Sequence, residues 1–324
     1  MKKKPLIILT GPTAVGKTAL SLALAKQCRA EIISADSMQV YRTMDIGTAK
    51  LPLGEREGIL HHLIDILNPD EPFSIAMFQA YAKKAMEKIY AAGHIPMIVG
   101  GTGFYIQSVL YDIDFTETEV DEEKRREWEE LYEREGALAF HERLKKVDAK
   151  AAGEIHPNNK KRVIRALEFY EQTGRPISEH NEVEHQKSSP YCFAYFVLNE
   201  DRSKLYEKIN VRIDQMLEAG LLQEVRQIYE HHYDRELPSM KGLGYKEFFP
   251  YFDGTEELTS CVERLKRETR HFAKRQLTWF RREREVIWIS KEEFQQDESK
   301  MLEYMMMQLE KKGIIHEPGM EGTI

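Results

Sequence analysis

The chain has 324 residues, of which 31% are charged and 42% hydrophobic, and its formal net charge is −7. This composition is typical of a folded globular protein and excludes a disordered or collagen-like chain. Three distant cysteines, Cys28, Cys192 and Cys261, provide neither a disulfide framework nor a zinc-binding spacing, and they favour a reducing cytoplasm. Because no apolar run is long enough to cross a bilayer, no membrane association is expected.

Charge is segregated along the chain. Residues 115–135 carry ten acidic and four basic side chains, whereas residues 264–284 carry nine Lys or Arg against two Glu. A basic segment can bind a polyanion even when the net charge is negative, although a solvated helix surface is the alternative explanation. Four of its basic residues recur at about helical spacing and predict one basic helix face: Arg267, Arg270, Lys274 and Arg281.

In the first third of the chain, short apolar runs alternate with helical segments. The runs at 6–10, 31–34 and 96–99 predict strands, and the segments at 18–29 and 73–92 predict helices. Strands that alternate with helices imply an α/β fold, in which helices flank a parallel sheet.

A charged, mostly helical stretch then interrupts this pattern, and a strand-like run returns at 191–198. The simplest account is a helical insertion domain at 115–190 within an α/β core formed by residues 1–114 and 191–324. The polar stretch at 182–189 predicts a linker at the end of the insertion. The last predicted elements are helices at 203–229 and 259–284 and a strand at 286–289.

The first predicted strand leads into a glycine-rich loop that matches the P-loop pattern without a gap. In such a loop, backbone N–H groups point inward, and the following helix adds the positive end of its dipole. Lys17 supplies a charge for the outer phosphates, and the Thr18 hydroxyl is placed to bind Mg²⁺. The residues predicted to bind a di- or triphosphate are Gly11, Pro12, Thr13, Ala14, Val15, Gly16, Lys17 and Thr18.

The acidic residue that an NTPase uses to hold its metal has no clear counterpart. The predicted strand at 96–99 ends in Gly100-Gly101-Thr102 with no acid, and Asp65 is the other candidate for this position. This pattern disfavours a hydrolytic motor. It is compatible with a small-molecule kinase, or with an enzyme whose phosphates leave as product.

Asp36 and Arg212 are candidate site residues outside the loop. Asp36 follows the second predicted strand, where ligands of open α/β sheets bind. A carboxylate near phosphate is unfavourable, which predicts a base or a metal-water ligand, with a helix N-cap as the alternative. Arg212 shares an apolar helix stripe, where an unpaired cation is costly, so it needs a phosphate or an acidic side chain as partner. The Thr13 hydroxyl can either bind phosphate or pack within the loop.

Several motifs together resemble the bacterial tRNA dimethylallyltransferases, the tRNA isopentenyltransferase family. They extend from the first strand to the last long helix, and as a set they are far more specific than the P-loop alone. The motifs are residues 11–18, DSMQVY at 36–41, MDIGTAK at 44–50, GGT at 100–102, HPN at 156–158, Arg162 with RALE at 165–168, GLGY at 242–245, and AKRQ at 273–276 with Thr278-Trp279.

The resemblance implies a P-loop NTPase-like core and a prenyl transfer. Dimethylallyl diphosphate would donate its five-carbon group to N6 of the adenosine 3′ of the tRNA anticodon (position 37), and diphosphate would leave. Thr13, Arg212 and Mg²⁺ would stabilise the leaving group, while Asp36 would take the proton from N6. Asp36, Thr13 and Arg212 are therefore the implied catalytic residues, and Arg212 also joins the diphosphate-binding set.

The resemblance also implies that the insertion and several core loops bind the anticodon stem-loop. The target adenine would leave its stack and enter a channel to meet the donor. A monomer in the cytoplasm is expected. The implied tRNA-binding residues are Asp36, Ser37, Met38, Gln39, Thr102, Arg125, Lys161, Arg162, Arg165, Lys241, Gly242, Gly244, Tyr245, Lys246, Lys274 and Arg281.

Three other functions fit parts of the pattern. A nucleotide or nucleoside kinase would use the P-loop for phosphate transfer, and a nucleotide-gated RNA-binding module would bind tRNA without turnover. An adenylate isopentenyltransferase would prenylate free AMP or ADP. The basic helix face and the helical insertion favour a polymeric acceptor.

Overall fold

The computed structural model describes residues 3–115 and 122–315, and within these ranges six parallel strands form one sheet. The strands are β1 (Lys4–Thr10), β2 (Ala30–Ala35), β3 (His61–His62), β4 (Ile95–Gly100), β5 (Tyr191–Asn199) and β6 (Val286–Ser290). Their order is β3-β2-β4-β1-β5-β6, which places β1 between two long neighbours. Ile8 of β1 lies opposite Ile98 of β4 and Tyr195 of β5.

Helices flank the sheet and form the insertion, and the predicted α/β fold with a P-loop-type core is confirmed. In chain order they are α1 (Lys17–Cys28), α2 (Ile75–Ala91), α3 (Gly103–Leu110), α4 (Glu122–Glu135), α5 (Ala137–Val147), α6 (Ala149–Glu154), α7 (Lys160–Thr173), α8 (Ile177–Gln186), α9 (Arg202–Glu218), α10 (Leu221–Glu230), α11 (Phe249–Phe252), α12 (Leu258–Phe280) and α13 (Glu298–Lys311). Short 3-10 turns lie at Leu53–Glu55, Ser239–Lys241 and Lys246–Phe248.

The central strand is apolar because both faces of a parallel sheet are covered. Leu6, Ile7, Ile8 and Leu9 are all fully buried, and they form the core of the sheet. Since the strands are parallel, β1, β2, β4 and β5 all end at the same edge of the sheet. The loops that follow these strands are therefore brought together, although they are far apart in sequence.

The turn after β1 requires glycine at its first residue. Gly11 has φ 147°, and a Cβ there would lie 2.6 Å from the backbone oxygen of Leu198 in β5. No side chain fits this approach, so the P-loop lies directly against the neighbouring strand. Gly16, with φ 93°, then forms the N-cap of α1 in a left-handed conformation that glycine adopts without strain.

The predicted single helix at 203–229 is wrong. It is divided into α9 and α10 at Gly220, which has φ 102°. Glycine after Ala219 is a common way to end a helix, because a left-handed residue releases the chain from the helical path. This helix break matters for the site because α10 begins immediately after Gly220.

The chain divides into two compact units, Met1–Leu110 with Pro190–Ile324, and Tyr111–Ser189. The first unit contains the sheet. In the second, helices α4 to α8 surround a core that includes Phe140, Leu144 and Val163. The predicted linker at 182–189 is partly wrong, because α8 continues to Gln186. Among the residues that the structure describes, no helix has the length and apolarity that a membrane span requires.

Candidate functional site

Two adjoining cavities of about 850 and 440 Å³ lie at the edge of the sheet where the strands end. Their size is that of typical small-molecule sites. Lys17 and Thr18 of the P-loop line the larger cavity, and the loop around Gly242 lines the smaller one. The two cavities share several lining residues, and Thr13, Asp36 and Arg212 are among them. The fold thus brings together the three residues implied as catalytic.

Lys17 is held at the mouth of the P-loop. Its Nζ donates to the backbone oxygens of Gly11 at 3.0 Å and Pro12 at 2.8 Å. Burial and the nearby Arg212 lower the pKa of Lys17 to about 7, while Asp36 acts in the opposite direction. A bound anion would counter both effects and would restore the full charge of the ammonium.

Arg212 extends from α9, whose buried stripe consists of Leu205, Ile209 and Ile213. Burial lowers the pKa of its guanidinium, and only the opposing charge of Asp36 raises it. Across the described ranges, no hydrogen bond or ion pair joins this guanidinium to another side chain. A partly buried cation without a bonded partner is costly. The arrangement therefore favours an anion in the cavity.

Asp36 lies one residue beyond β2, and its Oδ1 accepts the backbone N–H of Met38 at 2.9 Å. No helix begins at this position in the described chain, so the N-cap alternative for Asp36 is wrong. The carboxylate is close enough to interact electrostatically with both Lys17 and Arg212. The Asp36 carboxylate therefore lies within the electrostatic range of two cations at the P-loop end of the cavity.

Gln276 is a site residue for which the sequence predicted no role. It is almost fully buried on α12, and its Oε1 accepts the backbone N–H of Thr13 at 2.9 Å. Its Nε2 donates to the backbone oxygen of Gly101 at 3.0 Å. The backbone N–H of Thr13 is thus already hydrogen-bonded within the protein, whereas Thr13 itself lines both cavities. The AKRQ motif was a signal for this residue, but nothing in the sequence connects it to a loop 263 residues away.

Lys291 was also missed. It is buried just beyond β6, and its Nζ donates to the backbone oxygen of Val15 at 3.2 Å. A second ammonium therefore supports the P-loop from the side of the protein interior. An isolated lysine after a short strand gives no recognisable sequence signal.

Most core residues implied as tRNA contacts surround the smaller cavity. Its lining includes Ser37, Met38, Thr102, Lys241, Gly242, Gly244 and Lys246. Gln39 lines the larger cavity, and its Nε2 donates to the backbone oxygen of Thr48 at 3.2 Å. Tyr245 is fully buried and its hydroxyl donates to Glu224 at 2.7 Å. The resemblance implied that Tyr245 contacts tRNA, but its side chain is buried and instead supports the loop at 242–245 from within the protein.

Lys274 and Arg281 are exposed along α12 and its C-terminal end, and both line a separate cavity of about 460 Å³. Arg267 on the same helix is exposed, whereas Arg270 donates to Asn210 at 2.6 Å. The predicted basic helix face is therefore present, although Arg267 is ion-paired with Glu268 and Arg270 is half-buried.

Within the second unit, the implied tRNA contacts divide into two groups. Lys161 and Arg162 are exposed in the first turn of α7. Arg125 instead donates two hydrogen bonds to Glu168, at 3.0 and 2.6 Å, and is committed to that ion pair. Arg165 is half-buried, and burial lowers its pKa.

A metal at this site would find few protein ligands. In the part of the chain that is described, no group of three or more His, Cys, Asp or Glu side chains could hold a metal ion. Thr18 opens α1 and lines the larger cavity beside Lys17. One hydroxyl near a phosphate site suits Mg²⁺, which commonly keeps several waters and binds largely through phosphate oxygens.

Known proteins resemble this chain over most of its length. Residues 39–283 match the family model for IPP transferase, and residues 4–58 match the model for isopentenyl transferase. The tRNA dimethylallyltransferase of Lachnoclostridium phytofermentans is 57% identical over 309 residues, covering 95% of this chain and 99% of that protein. The Bacillus subtilis protein of the same name is 50% identical over 286 residues, covering 88% and 90%.

Two solved structures extend the similarity to the fold. The tRNA isopentenylpyrophosphate transferase of Bacillus halodurans superposes with a TM-score of 0.72 at 42% identity, covering 96% of this chain and 98% of that one. A eukaryotic dimethylallyltransferase, described as acting on tRNA, superposes with a TM-score of 0.75 at 32% identity, covering 89% and 74%.

The lowered pKa of Lys17 predicts a pH dependence of diphosphate binding. Below pH 7 the ammonium is already protonated, but above pH 7 binding must take up a proton. This proton uptake should weaken binding by up to about tenfold per pH unit, until the higher pKa of the complex is reached. Calorimetry with inorganic diphosphate from pH 6 to 9 measures the effect.

The matched control is Lys17→Arg, whose side chain stays charged throughout this range. It shares the titration of the diphosphate itself, so the ratio of the two dissociation constants isolates Lys17. A ratio that does not change with pH would contradict the prediction.

Gln276→Leu should weaken the P-loop. The change leaves the Thr13 amide and the Gly101 carbonyl without their partner, at about 1–3 kcal/mol for each buried group. We expect a lower thermal midpoint together with weaker binding of inorganic diphosphate. Gln227→Leu, at an exposed position of α10, is the control. Equal melting and binding in the two variants would show that the Gln276 bridge is unimportant.

Proposed function

Since this chain belongs to the IPP transferase family, we propose that it transfers the dimethylallyl group of dimethylallyl diphosphate to N6 of an adenosine in tRNA. The acceptor is the adenosine 3′ of the anticodon, at position 37. One observation carries the proposal: the P-loop, Arg212 and the Asp36 carboxylate line a single site. The names of the relatives, tRNA dimethylallyltransferase, support the same reaction.

The larger cavity holds the donor. When the bond between the allylic carbon and the bridging oxygen breaks, both electrons stay with the diphosphate. The P-loop amides, Lys17 and Arg212 stabilise this charge where it forms. The Thr13 hydroxyl donates to the bridging oxygen, which is consistent with a Thr13 amide already bonded to Gln276.

Thr18 would hold Mg²⁺ through its hydroxyl, and the ion would supply additional positive charge beside the diphosphate. The remaining phosphate-binding residues, Gly11, Pro12, Ala14, Val15 and Gly16, contribute the backbone curvature and amides of the loop.

The smaller cavity holds the acceptor. An adenine amine is a weak nucleophile because its lone pair is delocalised into the ring. Asp36 lines both cavities, so it can accept a hydrogen bond from N6 while the allylic carbon approaches from the donor side. As the C–N bond forms, the N6 proton passes to the carboxylate of Asp36.

Recognition of tRNA follows from the basic and loop residues. The unstacked base is surrounded by Ser37, Met38, Thr102, Lys241 and the rest of the loop to Lys246. Gln39 supports the neighbouring loop through its hydrogen bond to Thr48. Lys274 and Arg281 contact phosphates from α12. In the insertion, Lys161 and Arg162 contact the anticodon stem, and Arg125 and Arg165 belong to the same tRNA-binding set. The protein acts as a monomer, and its free cysteines suit a reducing cytoplasm.

Isotope incorporation tests the function directly. The protein is incubated with labelled dimethylallyl diphosphate, Mg²⁺ and unmodified tRNA that has adenosine 3′ of its anticodon, with AMP and ADP in parallel. We expect label in tRNA alone, at that adenosine. Label in free nucleotide would instead indicate an adenylate isopentenyltransferase. ATP turnover with phosphate transfer, and no prenyl transfer, would indicate a kinase.

Asp36→Asn should remove the base while preserving shape. We expect turnover to fall by about 10²–10⁴-fold, because general-base catalysis contributes on that order. Affinity for tRNA should change little, as measured by filter binding. Asp70→Asn, at an exposed surface position, should leave both unchanged. Normal turnover with a large loss of tRNA affinity would refute the base assignment.

A further inference from the structure

The Glu224 carboxylate accepts four hydrogen bonds, and it takes no direct part in the proposed reaction. Its Oε2 accepts the backbone N–H groups of Asp45 at 3.0 Å and Ile46 at 2.8 Å. Its Oε1 accepts the N–H of Gly47 at 2.9 Å and the hydroxyl of Tyr245 at 2.7 Å. One carboxylate thus binds three consecutive amides of one loop and a side chain of another.

The loop that Glu224 binds is a wall of the site. Gly47, Thr48 and Ala49 line the smaller cavity together with Asp36. Three successive N–H groups that converge on one anion form a concave backbone arrangement, which is normally an anion-binding shape. Here the protein supplies the anion itself. The loop is therefore held in its curved conformation before any substrate arrives.

Tyr245 connects this wall to the loop at 242–245, which also lines the smaller cavity. A Cβ on Gly47 would lie 2.6 Å from the Tyr245 ring, and a Cβ on Gly244 would lie 3.0 Å from the Gly47 oxygen. The two loops therefore pack backbone against backbone. Burial and the charge of Glu224 raise the pKa of Tyr245, so its hydroxyl stays protonated and can donate to Glu224.

Other contacts hold the far end of the same wall. Gln39 donates to the Thr48 oxygen at 3.2 Å, and Lys50 donates to Asp45 at 2.7 Å and to the Tyr41 backbone oxygen. Glu224, in the first turn of α10, hydrogen-bonds to both loops.

We propose that Glu224 is a positioning residue for the acceptor base. It fixes the loop at 45–49 and the loop at 242–245 against each other, so that the smaller cavity keeps its width beside Asp36. Glu224 does not line either cavity, and it acts through Gly47 and Gly244, which do. The identity of the acceptor as an adenosine of tRNA rests on the proposed function.

Glu224→Gln tests this role with little change in volume. The amide nitrogen would face N–H donors, so at least one oxygen contact is lost and the loop loosens. We expect kcat/KM for tRNA to fall by about 10- to 100-fold, as a small misplacement of a reactant can cause. Affinity for inorganic diphosphate should stay within about twofold, because hydrogen bonds to Glu224 do not reach the P-loop. Hydrogen exchange at the amides of residues 45–47 should accelerate.

Glu230→Gln on the same helix is the matched control, since that side chain is exposed. It should leave turnover, diphosphate affinity and exchange unchanged. If Glu224→Gln fails to fold, Tyr245→Phe removes only one of the four donors. That variant should lower kcat/KM for tRNA by about two- to tenfold, the value of one hydrogen bond.

The outcomes separate this inference from the proposed function. A wild-type protein that does not prenylate tRNA refutes the proposed function, and the acceptor role falls with it. An active wild type with an equally active Glu224→Gln variant refutes only the role of Glu224. Loss of diphosphate binding in parallel with turnover would also overturn the role, because it would indicate general damage.

Discussion

The placement of Lys17, Arg212 and the Asp36 carboxylate around one cavity is the central constraint on this protein. Lys17 and Arg212 repel each other, and burial lowers the pKa of both. Asp36 offsets only part of this cost. The site is therefore most stable when it holds a polyanion. The unfavourable repulsion between the two cations returns when that anion leaves. The diphosphate group of the donor offsets the repulsion between these cations before the reaction. The diphosphate product interacts with the same cations after it.

The constraint can be met only because parallel strands bring their loops to one edge. The P-loop follows β1, Asp36 follows β2, and the Gly101 turn follows β4. Gln276 and Lys291 then hold the P-loop through its backbone, from α12 and from beyond β6. The phosphate site is thus formed by local motifs at one end of the chain and supported by distant residues at the other.

The sequence predicted the fold class, the family and the P-loop, because these depend on apolar periodicity and short motifs. It also placed Thr13, Asp36 and Arg212 in one set, and the structure gathers them around one cavity. It missed the helix break at Gly220 because hydrophobic spacing continues across it. Gln276, Lys291 and Glu224 could not be assigned, since each acts through backbone groups whose partners are distant in sequence.

The bridge from Gln276 to Thr13 has a consequence for biosynthesis. The two residues are 263 positions apart, and the phosphate loop is made first while its brace is made late. On the ribosome, a growing chain therefore carries the complete glycine motif long before Gln276 can bond to it. The nascent protein should bind diphosphate more weakly until α12 has emerged from the exit tunnel, and premature termination before Gln276 leaves an intact motif without this support.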